Sequence, residues 1–471
     1  MKHLRGACLI VMAGLAPVTS VPALEVADRG RPQGLMPPAA PDRRVVSVDI
    51  ALRDKRTEVA RGEQIVFEIA TRYSGVPRWN GISQLSVRNE RGEQLTLPQP
   101  QRADENGIAR NTYVLQPADM TPGVYTIEAS AILPSAGRRV ISRQIFTYAP
   151  ETIRNATLRT PEEREAFSPL MDAFWATQLA GVQNRPRISD PAPKLDLSKS
   201  NYLVKVYKVS FTAVEGERIN GWLAIPAFGS KFPGVVELPY FSNGPIMPPT
   251  WLARMGFAAL AINVHGEEVD ATTYPSEEET YVGSITTPNI TNPQTFVYRR
   301  MMSASLGAVD YLAQHPNVDA TRLGAIGFSQ GGGLAVNVAA LDPRIKAVVA
   351  NSPAVDFPRM LATATMNPMR WFSDDLEMRD AQAPQVLHKT LSYFEPALLA
   401  ERLRVPLLVT TTTNDRTTPP STAYALRNAV PKDLPVRLLI EVSSEHTVTS
   451  HQAYASLDWL RKYLQSTEGS P

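Results

Sequence analysis

The chain has 471 residues, 43% hydrophobic and 20% charged, with 48 Lys and Arg against 46 Asp and Glu for a formal charge of +2. That length exceeds one ordinary domain and suits two, and the composition is that of a folded globular protein rather than a disordered or fibrous one. The near-neutral balance gives no electrostatic reason to expect nucleic acid or an anionic membrane as partner, and the one cysteine, Cys8, excludes a disulfide framework and a thiolate metal site.

Lys2 and Arg5 give a basic start, residues 7–15 form a short apolar run, and Val21-Pro22-Ala23 places small residues at −3 and −1 of a cleavage site. The pattern predicts a signal peptide over residues 1–23 and export to the periplasm or the extracellular space. The apolar run is too short to span a bilayer. Cleavage would remove Cys8 and two basic residues, leaving no thiol and no net charge. The Pro- and Gly-rich stretch 29–41 predicts a flexible tether over residues 24–44.

From 45 to 150 the pattern becomes short alternating runs such as Val45-Val46-Ser47-Val48-Asp49-Ile50 and Gln64-Ile65-Val66-Phe67-Glu68-Ile69, parted by turn residues such as Asn89-Glu90-Arg91-Gly92. About seven such runs predict an immunoglobulin-like all-β sandwich. It shows no ionisable cluster of catalytic type. Residues 162–179 carry Phe167, Leu170, Phe174 and Leu179 near helical spacing, and a Pro-rich connection follows, so residues 151–200 read as a helical linker.

From 201 to 471 strands and helices alternate. Strands are expected at 203–212, 218–225, 234–238, 258–262, 323–327, 347–350, 407–411 and 437–441, and helices at 296–314, 331–341 and 449–464. Early antiparallel strands followed by βα units predict an α/β fold with a mostly parallel eight-stranded sheet covered on both faces, the α/β-hydrolase plan.

Gly327-Phe328-Ser329-Gln330-Gly331 matches G-x-S-x-G. An apolar strand precedes it and a helix follows, the context that a nucleophile elbow requires. Ser329 is the candidate nucleophile, and the N–H groups at the helix start, Gln330 among them, are candidate oxyanion donors. A serine needs an imidazole to take its proton and a carboxylate to orient that imidazole. In this fold they follow in the order acid, then base. His446 directly follows the last predicted strand. His451 falls within the next helix and reads as a surface imidazole, and His388 lies in an insertion before the penultimate strand. Asp415 is the only carboxylate in the loop after that strand, and Thr418-Pro419-Pro420-Ser421-Thr422 reads as a turn entering a helix. The second oxyanion donor is expected after the third strand, at the backbone N–H of Tyr240 or Phe241.

With these residues in place the chain resembles the acetylxylan esterase and cephalosporin-C deacetylase family over residues 202–464. The likeness rests on Gly327-Phe328-Ser329-Gln330-Gly331-Gly332-Gly333, on Asp415 followed by Pro419-Pro420-Ser421-Thr422, and on Tyr240 after the third strand. The resemblance implies Ser329, Asp415 and His446 as triad and the Tyr240 and Gln330 amides as oxyanion donors. One segment departs from it: where the family usually has Arg-Gly-Gln, this chain has His265-Gly266-Glu267.

His265, Trp251 and Phe241 are the candidate substrate contacts. Two insertions flank the site: 267–294, acidic at Glu277-Glu278-Glu279, and 353–399, with Met360, Met366, Met369, Trp371 and Phe372. The second reads either as a cap or as an added helical layer packed on the body. No metal spacing is present, and neither metal nor cofactor is expected. The expected function is hydrolysis of carboxylic esters, foremost acetyl esters of carbohydrates, through an acyl-enzyme. The alternatives are a serine peptidase of prolyl-oligopeptidase type, against which Gln330 argues, and a surface-binding protein whose hydrolase part is secondary.

Overall fold

The computed structural model describes residues 46–73, 82–105, 108–132, 139–156, 160–183, 193–213, 216, 218–241, 245–271, 287–364, 366–442 and 445–465. The expected signal peptide and tether, and the acidic run Glu277-Glu278-Glu279, lie outside the described residues.

The N-terminal part has strands β1 (Val46–Leu52), β2 (Glu58–Val59), β3 (Ile65–Tyr73), β4 (Ile82–Asn89), β5 (Gln101–Glu105), β6 (Ile108–Leu115), β7 (Gly123–Ile132) and β8 (Arg139–Tyr148). They form two four-stranded sheets, β1-β3-β6-β5 and β2-β8-β7-β4. In β6 every second residue, Ala109 to Leu115, is buried, as the two-residue period of a half-buried strand dictates. The inward faces meet over Val48, Ile69, Val87 and Ile127. Each sheet carries one directly opposed aromatic pair, Phe67 with Tyr113 and Tyr125 with Phe146, stacked at 5.1 Å in both cases. A pair of this kind is worth about 0.5–1.5 kcal/mol beyond its buried area. The eighth strand, absent from the sequence reading, is the two-residue β2, too short to show a period.

The C-terminal body is built on β9 (Lys194–Leu195), β10 (Val204–Thr212), β11 (Arg218–Pro226), β12 (Phe232–Leu238), β13 (Ala258–Asn263), β14 (Val318–Phe328), β15 (Ile345–Asn351), β16 (Leu407–Thr412) and β17 (Val436–Glu441). The sheet order is β17-β16-β15-β14-β12-β13-β11-β10-β9. Neighbours from β17 to β13 run parallel, and β11, β10 and β9 add antiparallel. The expected eight strands are all present. The ninth is the short edge pair Lys194–Leu195. β13 and β16 are buried at every residue, which is why neither carries a charged residue nor alternates apolar with polar.

Among the described residues the longer helices are α1 (Pro161–Gln183), α2 (Val297–Gln314), α3 (Gln330–Leu341), α4 (Phe357–Thr363), α5 (Pro368–Arg379), α6 (Ala383–Leu391), α7 (Pro420–Ala429) and α8 (Ser450–Leu464). One face of the sheet is covered by residues of α1, α2 and α3, the other by Leu457, Leu460 and Leu464 of α8. α1 starts from a reciprocal cap: Thr160 Oγ1 accepts the Glu163 N–H and the Glu163 carboxylate accepts the Thr160 N–H. It is more than a linker, because Phe167, Met171, Phe174 and Trp175 join the main core. The Trp175 indole donates to the Tyr393 carbonyl at 2.9 Å. No described helix is long and apolar enough to cross a membrane.

Phe394 is fully buried and touches the rings of Phe174, Trp175, Phe296 and Tyr298. Phe394→Ala is expected to cost about 3–5 kcal/mol through lost contacts and the cavity left behind. The check is a lower urea midpoint with the slope of the transition unchanged.

Candidate active site

β14 delivers Ser329 to the C-terminal edge of the sheet, and α3 begins at the next residue. Ser329 has φ 57° and ψ −121°, a conformation that costs an L-residue about 1–3 kcal/mol unless its surroundings impose it. They do. The Ser329 N–H donates to the Asn351 carbonyl at 2.9 Å, and the Ser329 carbonyl accepts from Ala354 at 2.9 Å and Gly333 at 3.2 Å. The flanking glycines are required by space. A β-carbon at Gly327 would lie 2.1 Å from the Gly331 carbonyl oxygen, and one at Gly331 would lie 2.1 Å from the carbonyl oxygen of Leu238. The end of β12 and Pro239 after it are thus pressed against the first turn of α3. The Ser329 side chain makes no cap on α3. The first-turn N–H groups therefore need partners from outside the helix, as in any anion-binding helix start.

The other two candidates meet beside this bend. Asp415 follows β16 and His446 follows β17, and their side chains are 2.6 Å apart, Nδ1 to Oδ2. The aspartate side chain is fully buried and that of the histidine 8% exposed. Asp415 Oδ1 accepts the N–H groups of Thr417 at 2.9 Å and Thr418 at 2.8 Å. Oδ2 also contacts Thr418 Oγ1 at 3.0 Å. An acceptor-only carboxylate at Nδ1 fixes the tautomer with hydrogen there, leaving Nε2 as the basic nitrogen. Nε2 is buried and has no hydrogen-bond partner, so the bond to Ser329 is not made in this conformation. Catalytic hydrogen bonds often tighten only with substrate present. The His446 ring lies 4.6 Å from the ring of Phe328, the residue before Ser329, and that ring is 5.9 Å from Tyr240. The imidazole, the bend and the loop after β12 are therefore gathered at one end of the sheet.

The remaining candidates are placed as follows. Gln330 is buried, and Tyr240 and Phe241 are half-buried, Phe241 against the main core. His265 is buried in the turn after β13. Its N–H donates to Asn263 Oδ1 at 2.8 Å and its carbonyl accepts from Arg300 at 2.6 Å. Trp251 packs on the core beneath α8 and donates its indole N–H to Glu237 at 3.1 Å. His451 is exposed on α8 and paired with Glu441, the surface position expected for it. Met360 and Met369 of the second insertion are buried in the main core, and Met366 is 40% exposed. The side chains of Trp371 and Phe372 lie outside the described residues. Among the described residues no group of His, Cys, Asp or Glu is placed to hold a metal ion.

Several residues around the site had no signal in the chain. Thr418 Oγ1 reaches Asp415, the Ser352 carbonyl at 3.0 Å and His446 Nδ1 at 3.4 Å. Asn351, whose carbonyl holds Ser329, has its amide oxygen bonded by Thr410 at 2.8 Å and Ser456 at 3.1 Å. The buried Glu395 accepts the N–H groups of Asp356 at 2.7 Å, Phe357 at 2.7 Å and Ala397 at 3.0 Å. Its burial, with the neighbouring Asp356 charge, pushes its carboxyl up to about 7. Burial likewise pushes Glu237 up to about 7, the Trp251 N–H pulling the other way.

The acetyl xylan esterase (AXE1) family model matches residues 156–463, more than half of the chain. Acetyl esterase Axe7A of Xylanibacter ruminicola is 27% identical over 328 residues, which span 68% of this chain and 70% of that protein. Among solved structures, an acetyl xylan esterase from Paenibacillus sp. R4 has TM-score 0.57 at 24% identity, covering 67% of this chain and 98% of its own. Acetyl xylan esterase 1 from Thermoanaerobacterium sp. JW/SL YS485 has TM-score 0.53 at 23% identity, covering 63% and 94%. At that identity the two structures speak to the fold.

A carboxyl raised in the native state binds more protons folded than unfolded between about 4.5 and about 7. Its contribution to stability therefore falls as pH rises through that window. Glu237→Gln keeps an oxygen for the Trp251 N–H and removes the ionisable group. The variant is expected to melt higher than wild type at pH 8 and equally at pH 4.5. Melting curves at both values check this.

Proposed function

Because the chain belongs to the acetyl xylan esterase family, we propose that it is an exported serine esterase that removes acetyl groups from carbohydrate through an acyl-enzyme on Ser329. The observation that carries the reading is the 2.6 Å Asp415–His446 pair beside a serine held at positive φ on a strand-to-helix bend. Export rests on the basic start, the apolar run and the Val21-Pro22-Ala23 site.

The chemistry follows from these groups. His446 Nε2 takes the Ser329 proton as Oγ bonds to the ester carbonyl carbon, while Asp415 stabilises the imidazolium. The carbonyl oxygen becomes an oxyanion, received by the N–H of Gln330 and that of Tyr240. Collapse breaks the bond to the alcohol oxygen, which takes the proton from His446 and leaves. Water then gives a proton to His446 as its oxygen attacks the acyl carbon. The second collapse releases acetate and returns the proton to Ser329. Each oxyanion donor supplies about 3 kcal/mol in the transition state.

Turnover of p-nitrophenyl acetate is the first test. Ser329→Ala is expected to lower kcat by on the order of 10⁴ or more, and Asp415→Asn by about 10⁴ because the imidazole loses its tautomer. Equal turnover by wild type and Ser329→Ala would sink the assignment. Acetate release from acetylated xylan is expected, with no cleavage of peptides. N-terminal sequencing of the exported protein is expected to start at Leu24.

A further inference from the structure

The acid loop is held on one side by a residue from the other end of the chain. Helix α7 begins five residues after Asp415, and its N-cap is Pro419, whose side chain makes no cap bond. Pro420 has no N–H, and the Thr422 N–H returns to the Pro419 carbonyl at 2.9 Å. That leaves the Ser421 N–H, and Glu90 of the N-terminal sandwich accepts it at 2.8 Å. The cap that the helix's own sequence lacks is therefore supplied across the contact between the two parts.

Glu90 is well placed to do this. It sits at the tip of the turn after β4, and that turn is braced internally. Asn89 Oδ1 accepts the N–H groups of Arg91 and Glu93, both at 3.0 Å, and the Asn89 amide donates to Glu93 at 2.7 Å. Between Ser421 and Asp415 lie Thr418, which touches both Asp415 and His446, and Pro419-Pro420. Two successive prolines have fixed φ, so a displacement of the helix start passes back to Thr418 with little slack. The far end of α7 is anchored separately. Glu58 pairs with Arg427 at 2.7 Å and contacts the Tyr424 hydroxyl at 3.1 Å, and Asn428 donates to the carbonyls of Pro150 and Ile153.

We infer that Glu90 is a positioning residue for the esterase reaction: by capping α7 from the sandwich it fixes Asp415 and Thr418 against His446, and this is one function of the N-terminal part. The inference rests on the triad reading above.

Three variants and one control test it on p-nitrophenyl acetate. Glu90→Ala is expected to lower kcat by about ten- to a hundredfold with KM within about twofold, the size of effect that a small misplacement of a catalytic group produces. Glu90→Gln keeps an acceptor oxygen and is expected to stay within about threefold of wild type, since the cap needs an acceptor rather than a charge. Glu90→Asp, a methylene short, is expected to fall between them and serves if the alanine variant does not fold. Glu58→Ala loosens the same interface at the far end of α7. It is expected to lower the melting temperature and leave kcat unchanged. Unchanged kcat in Glu90→Ala, an equal kcat loss in Glu58→Ala, or a glutamine variant as impaired as the alanine one each overturns the inference while leaving the triad intact. A Ser329→Ala enzyme as active as wild type overturns the triad and the inference with it.

Discussion

The carbonyl of Leu238 and the α-carbon of Gly331 lie so close that no side chain fits between them. This contact joins the end of β12 to the first turn of α3, and much of the site's geometry depends on it. It requires glycine directly after Gln330, and it brings the loop carrying Tyr240 beside N–H groups that the helix cannot satisfy itself. It also gives Ser329 little alternative to positive φ, because the chain must leave a buried central strand and enter a helix packed against that strand within one residue. The unfavourable backbone at Ser329 is small beside the close-packed surroundings that impose it.

Asp415 and His446 are secured differently, by hydrogen bonds from several elements rather than by close packing of backbone. Thr418 ties Asp415 to the Ser352 carbonyl. The second insertion reaches the same loop: the Met366 N–H donates to the Arg416 carbonyl at 2.9 Å and the Asn367 amide to the Thr417 carbonyl at 2.8 Å. On the base side, Thr412 Oγ1 donates to the Glu445 carbonyl at 2.8 Å, and α8 starts from a complete capping box between Thr449 and Gln452. The insertion thus packs Met360 and Met369 into the core and also holds the loop of Asp415 through two hydrogen bonds to its carbonyls. Its reading as an added layer and its nearness to the acid are compatible.

What was legible in the chain follows from how local each constraint is. The elbow is written in consecutive residues because its strand, bend and helix are consecutive, and the spacing there announced Ser329 and the glycines together. Asp415 and His446 were chosen through chain order, as the carboxylate after β16 and the histidine after β17, and their side chains meet at 2.6 Å. β2 and β9, two residues each, were not, because a period needs more than two residues to be seen. Glu90 was readable only as a turn residue. Its partner lies 331 positions away, and nothing local distinguishes a carboxylate that caps a distant helix from one in water. Trp251 was expected as a substrate contact, and its packing beneath α8 with a hydrogen bond to Glu237 is written in no local pattern.

The buried carboxylates behind the elbow have a reason that backbone accounting makes plain. Residues 352–356, before α4 begins at Phe357, leave regular structure to form the rear support of the bend, with Ser352 and Asp356 both at positive φ, and every buried N–H along such a segment needs a partner. Ser352 donates to the Thr410 carbonyl and Ala354 to that of Ser329, while Pro353 has nothing to donate. Of the others, the N–H groups of Asp356 and Phe357 are both taken by Glu395. An apolar residue at 395 would relieve the desolvation of a charge but leave two donors orphaned beneath Ser329, each costing about 1–3 kcal/mol. The carboxylate is retained in the core because the irregular backbone that supports Ser329 cannot be satisfied by secondary structure.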